Sequence, residues 1–360
     1  MDTATSADGT TIAFDQLGQG PTVVVVGGAF SVAADGNALA SALVDAGFRA
    51  VTLDRRGRGE SGDRRGSSPE DEADDLAAVI EAVGGDAIVL GHSSGATLAL
   101  FAAARGVPMR SLFLSEPPFR FGVDEPAADL PERLQRLVDE GNADEAVVTF
   151  QLEGVGLPPQ MVEQIRQSEL FETLLPLAQS TVYDAKLTAQ VSTPTAGMLS
   201  VSQPVTILRG EQTFPVLVAA ADRLADEMPG AELVIVPESV MHRPDPGATA
   251  RVVRVEPVPT PPLTASAPAS TSACAPERVA TLPPMMSMAA KAESPLSRRM
   301  ISSTPAESPF AVSTTIASTP ASRSAPARSH ASPKKPIAAP TRSRPASSFV
   351  AFGYCSLLSK

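Results

Sequence analysis

The sequence predicts an α/β protein with a mostly parallel sheet flanked by helices, and three observations predict it. Short β-rich runs alternate with longer helical patterns through residue 118 and again from residue 203, the rhythm of a parallel sheet covered on both faces. A G-x-S-x-G sequence, Gly91-His92-Ser93-Ser94-Gly95, stands between an apolar run and a helical one. Between residues 119 and 202 the strand patterns stop and amphipathic helical patterns replace them, which reads as an inserted helical cap.

Taken in order, residues 10–15 and 22–26 read as strands, the second apolar throughout, and residues 34–46 as a helix. Residues 50–53 form the next strand, followed by a Gly/Arg turn. Residues 69–83 are helical, with Ser67 or Ser68 placed to cap and Pro69 suited to the first turn. Strand 87–90, helix 96–105 and strand 111–115 follow. The cap holds helical stretches at 130–140, 143–151, 159–169 and 171–188. Strand 205–208, helix 215–228 and strand 232–236 then resume the alternation, and residues 245–254 begin a last helix. The expected organisation is a core of residues 1–118 and 203–254, a cap of residues 119–202, and a tail of residues 255–360.

The tail differs from the rest in composition. It holds 17 of the 34 prolines and carries 11 Lys/Arg against 4 Asp/Glu, whereas residues 1–254 carry 18 against 36. The net charge of −11 therefore averages an acidic body with a basic, Ala/Ser/Thr/Pro-rich segment. That segment lacks the apolar periodicity needed to offset chain entropy, so it is expected to be disordered. The abrupt change near Arg254 reads as a reading-frame change or as a natural extension.

An acidic body argues against a nucleic-acid footprint. No apolar run approaches the roughly 18–20 residues that span a bilayer. The amino terminus shows no basic and apolar leader, so no membrane partner is expected and the location is expected to be cytoplasmic. Both cysteines, Cys274 and Cys355, lie in the tail, leaving the body no disulfide framework and no thiolate chemistry. No H-x-H, C-x-x-C or H-E-x-x-H spacing occurs, so neither a metal nor another cofactor is expected. Arg55, Arg56 and Arg58 interleave with Asp54 and Glu60 and read as a structural turn rather than a phosphate site.

Chemistry centres on Ser93. An apolar strand, a sharp turn with glycines where side chains would collide, and a helix form the setting that lifts a nucleophilic serine above a sheet edge. Such a serine needs a base. Of the three histidines, His92 lies inside the turn and His330 in the tail, which leaves His242, just past the last predicted strand. A carboxylate must then orient the imidazole.

Taken together, these residues resemble the α/β-hydrolase superfamily, specifically small bacterial capped serine hydrolases. The resemblance rests on residues 8–21 as amino-terminal strands and on the Gly27-Gly28-Ala29-Phe30 loop. It rests further on Asp54-Arg55-Arg56-Gly57-Arg58-Gly59-Glu60-Ser61 as a D-x-R-G-x-G-x-S turn, and on Gly91–Gly95 as the nucleophile elbow. It implies an α/β-hydrolase fold and oxyanion donors at the N–H groups of Ala29 and Ser94. It also implies a catalytic acid, usually placed in a G-x-x-D after the next-to-last strand. Here that stretch is Gly210-Glu211-Gln212-Thr213, and threonine carries no charge. Some members place the acid one strand earlier, where this chain has Glu116 before Pro117 and Pro118. Glu116 is the expected acid, with Glu211 as the alternative. The expected activity is cleavage of a small ester, lactone or related acyl substrate by Ser93, His242 and Glu116. A non-catalytic ligand-binding protein on the same fold, or a cofactor-free haloperoxidase or perhydrolase-like enzyme, are the alternatives.

Overall fold

The structure, a computed structural model, describes residues 1–255. The tail calculated from composition to be disordered lies outside these residues. Eight strands form one sheet in the order β1-β2-β4-β3-β5-β6-β7-β8. They are β1 (Asp2–Thr5), β2 (Thr11–Leu17), β3 (Thr22–Val26), β4 (Arg49–Leu53), β5 (Ala87–His92), β6 (Ser111–Ser115), β7 (Val205–Gln212) and β8 (Ala231–Val240). The β1–β2 and β2–β4 pairs are antiparallel, and every other pair is parallel.

The apolar runs explain the layering. Successive side chains of a strand point to opposite faces. In β3, Val23 and Val25 join one buried cluster while Val24 and Val26 join another. Helices α1 (Asn37–Asp45) and α11 (Pro246–Val255) cover the first face through Leu39, Leu43, Ala250 and Val253. Helices α2 (Pro69–Ala82), α3 (Ser94–Ala104) and α10 (Pro215–Glu227) cover the second through Leu76, Ile80, Leu98 and Leu224. Between β6 and β7 the chain makes α4 (Leu130–Asp139), α5 (Ala143–Thr149), a π-helical turn at Phe150–Val155, α6 (Pro159–Arg166), α7 (Glu169–Leu174), α8 (Ala178–Val191) and α9 (Ala196–Leu199). These helices bury a cluster of their own, including Leu134, Val147, Phe150 and Leu174, against Phe30 of the sheet-edge loop. The predicted fold class is therefore the observed one. Among the described residues, no helix is long and apolar enough to cross a membrane.

Four local differences have physical causes. Strand β1 escaped the sequence pattern because it is an edge strand whose only buried residue is Ala4. The helix predicted at 34–46 starts instead with a 3-10 turn at Ala33–Gly36, where the Asp35 carboxylate accepts from Val32 N–H at 2.9 Å. The helix predicted at 171–188 breaks at Leu175–Leu177, because Pro176 has no N–H to continue the ladder. Strand β8 runs on to Val240 instead of ending at 236 and pairs with β7 across an irregularity between Gly210 and Gln212. That extension carries the chain to His242.

Candidate active site

The site is assembled at the carboxyl ends of β5, β6, β7 and β8. Ser93 follows β5 directly, and its N–H donates to Ser115 O at 2.9 Å. Glu116 follows β6, and its N–H donates to Leu208 O of β7 at 2.9 Å. His242 follows β8, its neighbour Met241 donating N–H to Gln212 O at 2.7 Å. Parallel neighbours in one sheet thus deliver residues from three distant stretches of sequence to one edge.

The elbow geometry shows why the glycines stand where they do. Ser93 has φ 55° and ψ −127°. A Cβ on Gly91 would meet Gly95 O and Ala96 Cα at 2.5 Å, and one on Gly95 would meet Val26 O at 2.2 Å. Only glycine permits that approach. Among the described residues, seven non-glycine residues have positive φ, and Ser93, Glu116 (φ 49°) and His242 (φ 61°) are three of them. Strain of this kind persists only where the surroundings over-determine it, and it concentrates at functional sites.

The carboxylate beside His242 is that of Glu116. Its Oε2 lies 2.5 Å from His242 Nδ1 and accepts from Thr213 Oγ1 at 3.1 Å, while its Oε1 accepts from Gly210 N–H at 2.8 Å. Burial pushes this carboxyl up, but the His242 contact and charge and the Gly210 N–H outweigh burial and hold it below the usual glutamate range. Glu211, the alternative acid, is exposed at the end of β7. Thr213 stands where the sequence pattern wanted an acid and instead donates a hydrogen bond to one. Gly210 is required in the same corner, since a Cβ there would meet Ser239 O at 2.3 Å.

Buried His92 packs against this pair. Its ring centroid lies 4.6 Å from that of His242, and burial, reinforced by the His242 charge, pushes its pKa down to about 3. It is therefore a neutral packing partner for the exposed-side imidazole. His92, Glu116 and His242 bring ligand-type atoms within 4.8 Å of one another.

Ser93, His242, Ala29 and Ser94 line a common cavity of about 370 Å³. Phe150, Met161 and Phe214 supply apolar wall. Of the apolar residues abundant in the helical insertion, Phe171 and Leu174 instead pack into its own core.

The turn after β4 does not line the cavity, but it hydrogen-bonds to residues that do. Asp54 accepts from Ala33 N–H at 2.6 Å and from Glu60 N–H at 2.9 Å, which shapes the turn. Arg55 and Arg58 are buried and reach both Gly27–Ser31 and Ser94. Their acidic partners are Glu72 of α2 and Asp184 of α8. Asp184 carried one faint signal in the sequence, an acid amid the apolar pattern of a helix.

Residues 23–252 match the alpha/beta hydrolase family. No curated protein matches the chain. Among solved structures, the chain is similar to an alpha/beta hydrolase from Sphaerobacter thermophilus, with 40% identity and a TM-score of 0.65, the match covering 70% of this chain and 98% of that one. It is also similar in fold to a thermophilic esterase from Thermogutta terrifontis at 22% identity and a TM-score of 0.54, covering 70% and 96% of the two chains. A hydrolase from Pseudomonas aeruginosa matches at 20% identity and a TM-score of 0.54, covering 70% and 97%.

Proposed function

Because the chain belongs to the alpha/beta hydrolase family, we propose that it cleaves a small ester, lactone or related acyl substrate through Ser93, His242 and Glu116. The observation that carries this reading is the 2.5 Å contact of His242 Nδ1 with buried Glu116, on the same cavity that Ser93 lines. That contact fixes the tautomer, with Nδ1–H toward Glu116 and Nε2 left to act as base. His242 takes the Ser93 proton as Oγ attacks the substrate carbonyl. The carbonyl electron pair moves to oxygen, and the N–H groups of Ala29 and Ser94 receive the resulting oxyanion. Collapse breaks the acyl–oxygen bond, and the alcohol, which departs from an ester and stays tethered in a lactone, takes the proton from His242. Water, deprotonated by the same imidazole, then attacks the acyl carbon, the acyl–Oγ bond breaks to free the acid, and His242 returns the proton to Ser93 Oγ. The helical insertion acts as a cap whose apolar wall selects the acyl or alcohol group.

The test is turnover of p-nitrophenyl butyrate and labelling by a fluorophosphonate probe, with Ser93→Ala as control. Activity should fall at least 10³-fold in the variant, and peptide mass spectrometry should place the label on Ser93. Equal rates in the two proteins, or a label elsewhere, would overturn the reading. Ligand binding without any labelling would favour a non-catalytic binding protein, and peroxide-dependent halogenation would favour the haloperoxidase alternative.

A further inference from the structure

We propose that Arg58, held by Asp184 of the helical insertion, is a positioning residue that aims the Ala29 N–H into the oxyanion hole. The inference rests on the hydrolase reading above, which supplies the role of Ala29. Arg58 Nη1 donates to Gly28 O at 2.5 Å and to Ser31 O at 3.2 Å. Gly28 C=O and Ala29 N–H belong to one peptide unit. That unit is planar, and in its trans form the two groups point in opposite directions. Drawing the carbonyl down to a buried guanidinium therefore turns the N–H the other way. Gly28 and Ala29 both line the cavity, and a Cβ on Gly28 would meet Ser93 Cβ at 2.8 Å, so the loop lies directly against the nucleophile. A cation on the carbonyl also polarises the amide, which strengthens its N–H as a donor.

What holds Arg58 comes from far along the chain. Asp184 Oδ2 accepts from Arg58 Nη2 at 2.6 Å, and Asp184 Oδ1 accepts from Arg55 Nη1 at 2.9 Å. The same Arg55 Nη1 donates to Ser94 Oγ at 3.1 Å, so the residue with the second oxyanion donor is tied to the same carboxylate. Glu72 holds the rest of the Arg55 guanidinium with two bonds, at 2.9 and 3.0 Å. Arg55, Arg58, Glu72 and Asp184 are all at most 3% exposed. Two cations and two anions balance, as buried charges must. A buried ion cluster is a poor device for stability alone, but it is an effective one for fixing direction. The helical insertion thus supplies part of the catalytic geometry as well as the roof.

The experiment uses the full chain with Arg58→Lys and Asp184→Asn. Asp184→Asn keeps the side-chain shape, and so keeps the test open if Arg58→Lys does not fold. Active sites are counted by fluorophosphonate burst, and kcat, KM and inhibition by an alkylboronic acid are measured per active site. The boronate forms a tetrahedral adduct on serine that carries the oxyanion. In each folded variant kcat should fall about 10- to 100-fold, less than or similar to losing one donor outright. Boronate affinity should weaken in parallel and KM should stay within about threefold. A merely structural role would lower the number of active sites and the melting temperature but leave boronate affinity per site unchanged. Folded variants with wild-type kcat and boronate affinity overturn the inference alone. A wild-type protein without Ser93-dependent turnover overturns the hydrolase reading and this inference with it.

Discussion

The two sides of the cavity are built by different means. On the proposed proton-transfer side, Glu116 follows β6 and His242 follows β8, and the end of β7 between them supplies Gly210 N–H and Thr213 to the carboxylate. On the proposed oxyanion side, the Gly27–Ser31 loop and Ser94 are held by arginines from one turn and an aspartate from a helix 126 residues further on. The first side is a property of the carboxyl ends of β6, β7 and β8, which their parallel pairing lines up in turn. The second depends on the insertion docking correctly. The difference teaches that the carboxylate beside His242 is held within the sheet's own strand ends, whereas the Gly27–Ser31 loop depends on a contact between the core and the inserted helices.

The largest effect expected is on the proton-transfer side. Glu116→Gln should lower kcat about 10³-fold or more, since a neutral amide neither fixes the tautomer nor balances the imidazolium. Glu211→Gln should stay within twofold of wild type. Steady-state kinetics on both variants decide between the two acids, and the reverse ranking would assign the role to Glu211. A second change tests whether the acid can move to position 213. Thr213 Oγ1 already reaches Glu116 Oε2, so Glu116→Gln/Thr213→Asp should recover about tenfold over Glu116→Gln alone. No recovery would mean that a carboxylate at position 213 cannot reach His242.

The smallest effect concerns the histidine packed against the imidazole. His92 stays neutral in the folded protein down to about pH 3 and titrates near 6.5 when unfolded. Between those values the unfolded chain binds one more proton, so stability falls as pH falls. Denaturant unfolding of His92→Gln across pH 6.5 to 3 should show a slope shallower by about one proton. Identical slopes for variant and wild type would show that His92 protonates freely in the folded state.

Much of this arrangement was legible in the sequence. The elbow was readable because Gly91 and Gly95 are demanded by contacts within a few residues of Ser93 and by the neighbouring strand. His242 followed from a shortage of histidines. Glu116 was readable because Thr213 carries no charge and another acid closed the preceding strand. Arg55 and Arg58 were visible as a motif, but their targets were not, because a local sequence shows which cations are present and not which carbonyl each will reach. Asp184 was legible only as an acid within a helix, its partners hidden for the same reason.

By itself, then, the sequence determined the alternation of strands and helices, the elbow and the residue types available for the chemistry, since each depends on periodicity or on local sterics. Only the tertiary structure decided that β8 runs on to deliver His242, that Gly210 and Thr213 serve the acid they do not replace, and that Asp184 reaches back to Arg58. Those outcomes rest on strand register and on the packing of the inserted helices against the core, where residues 94 to 126 positions apart meet in space.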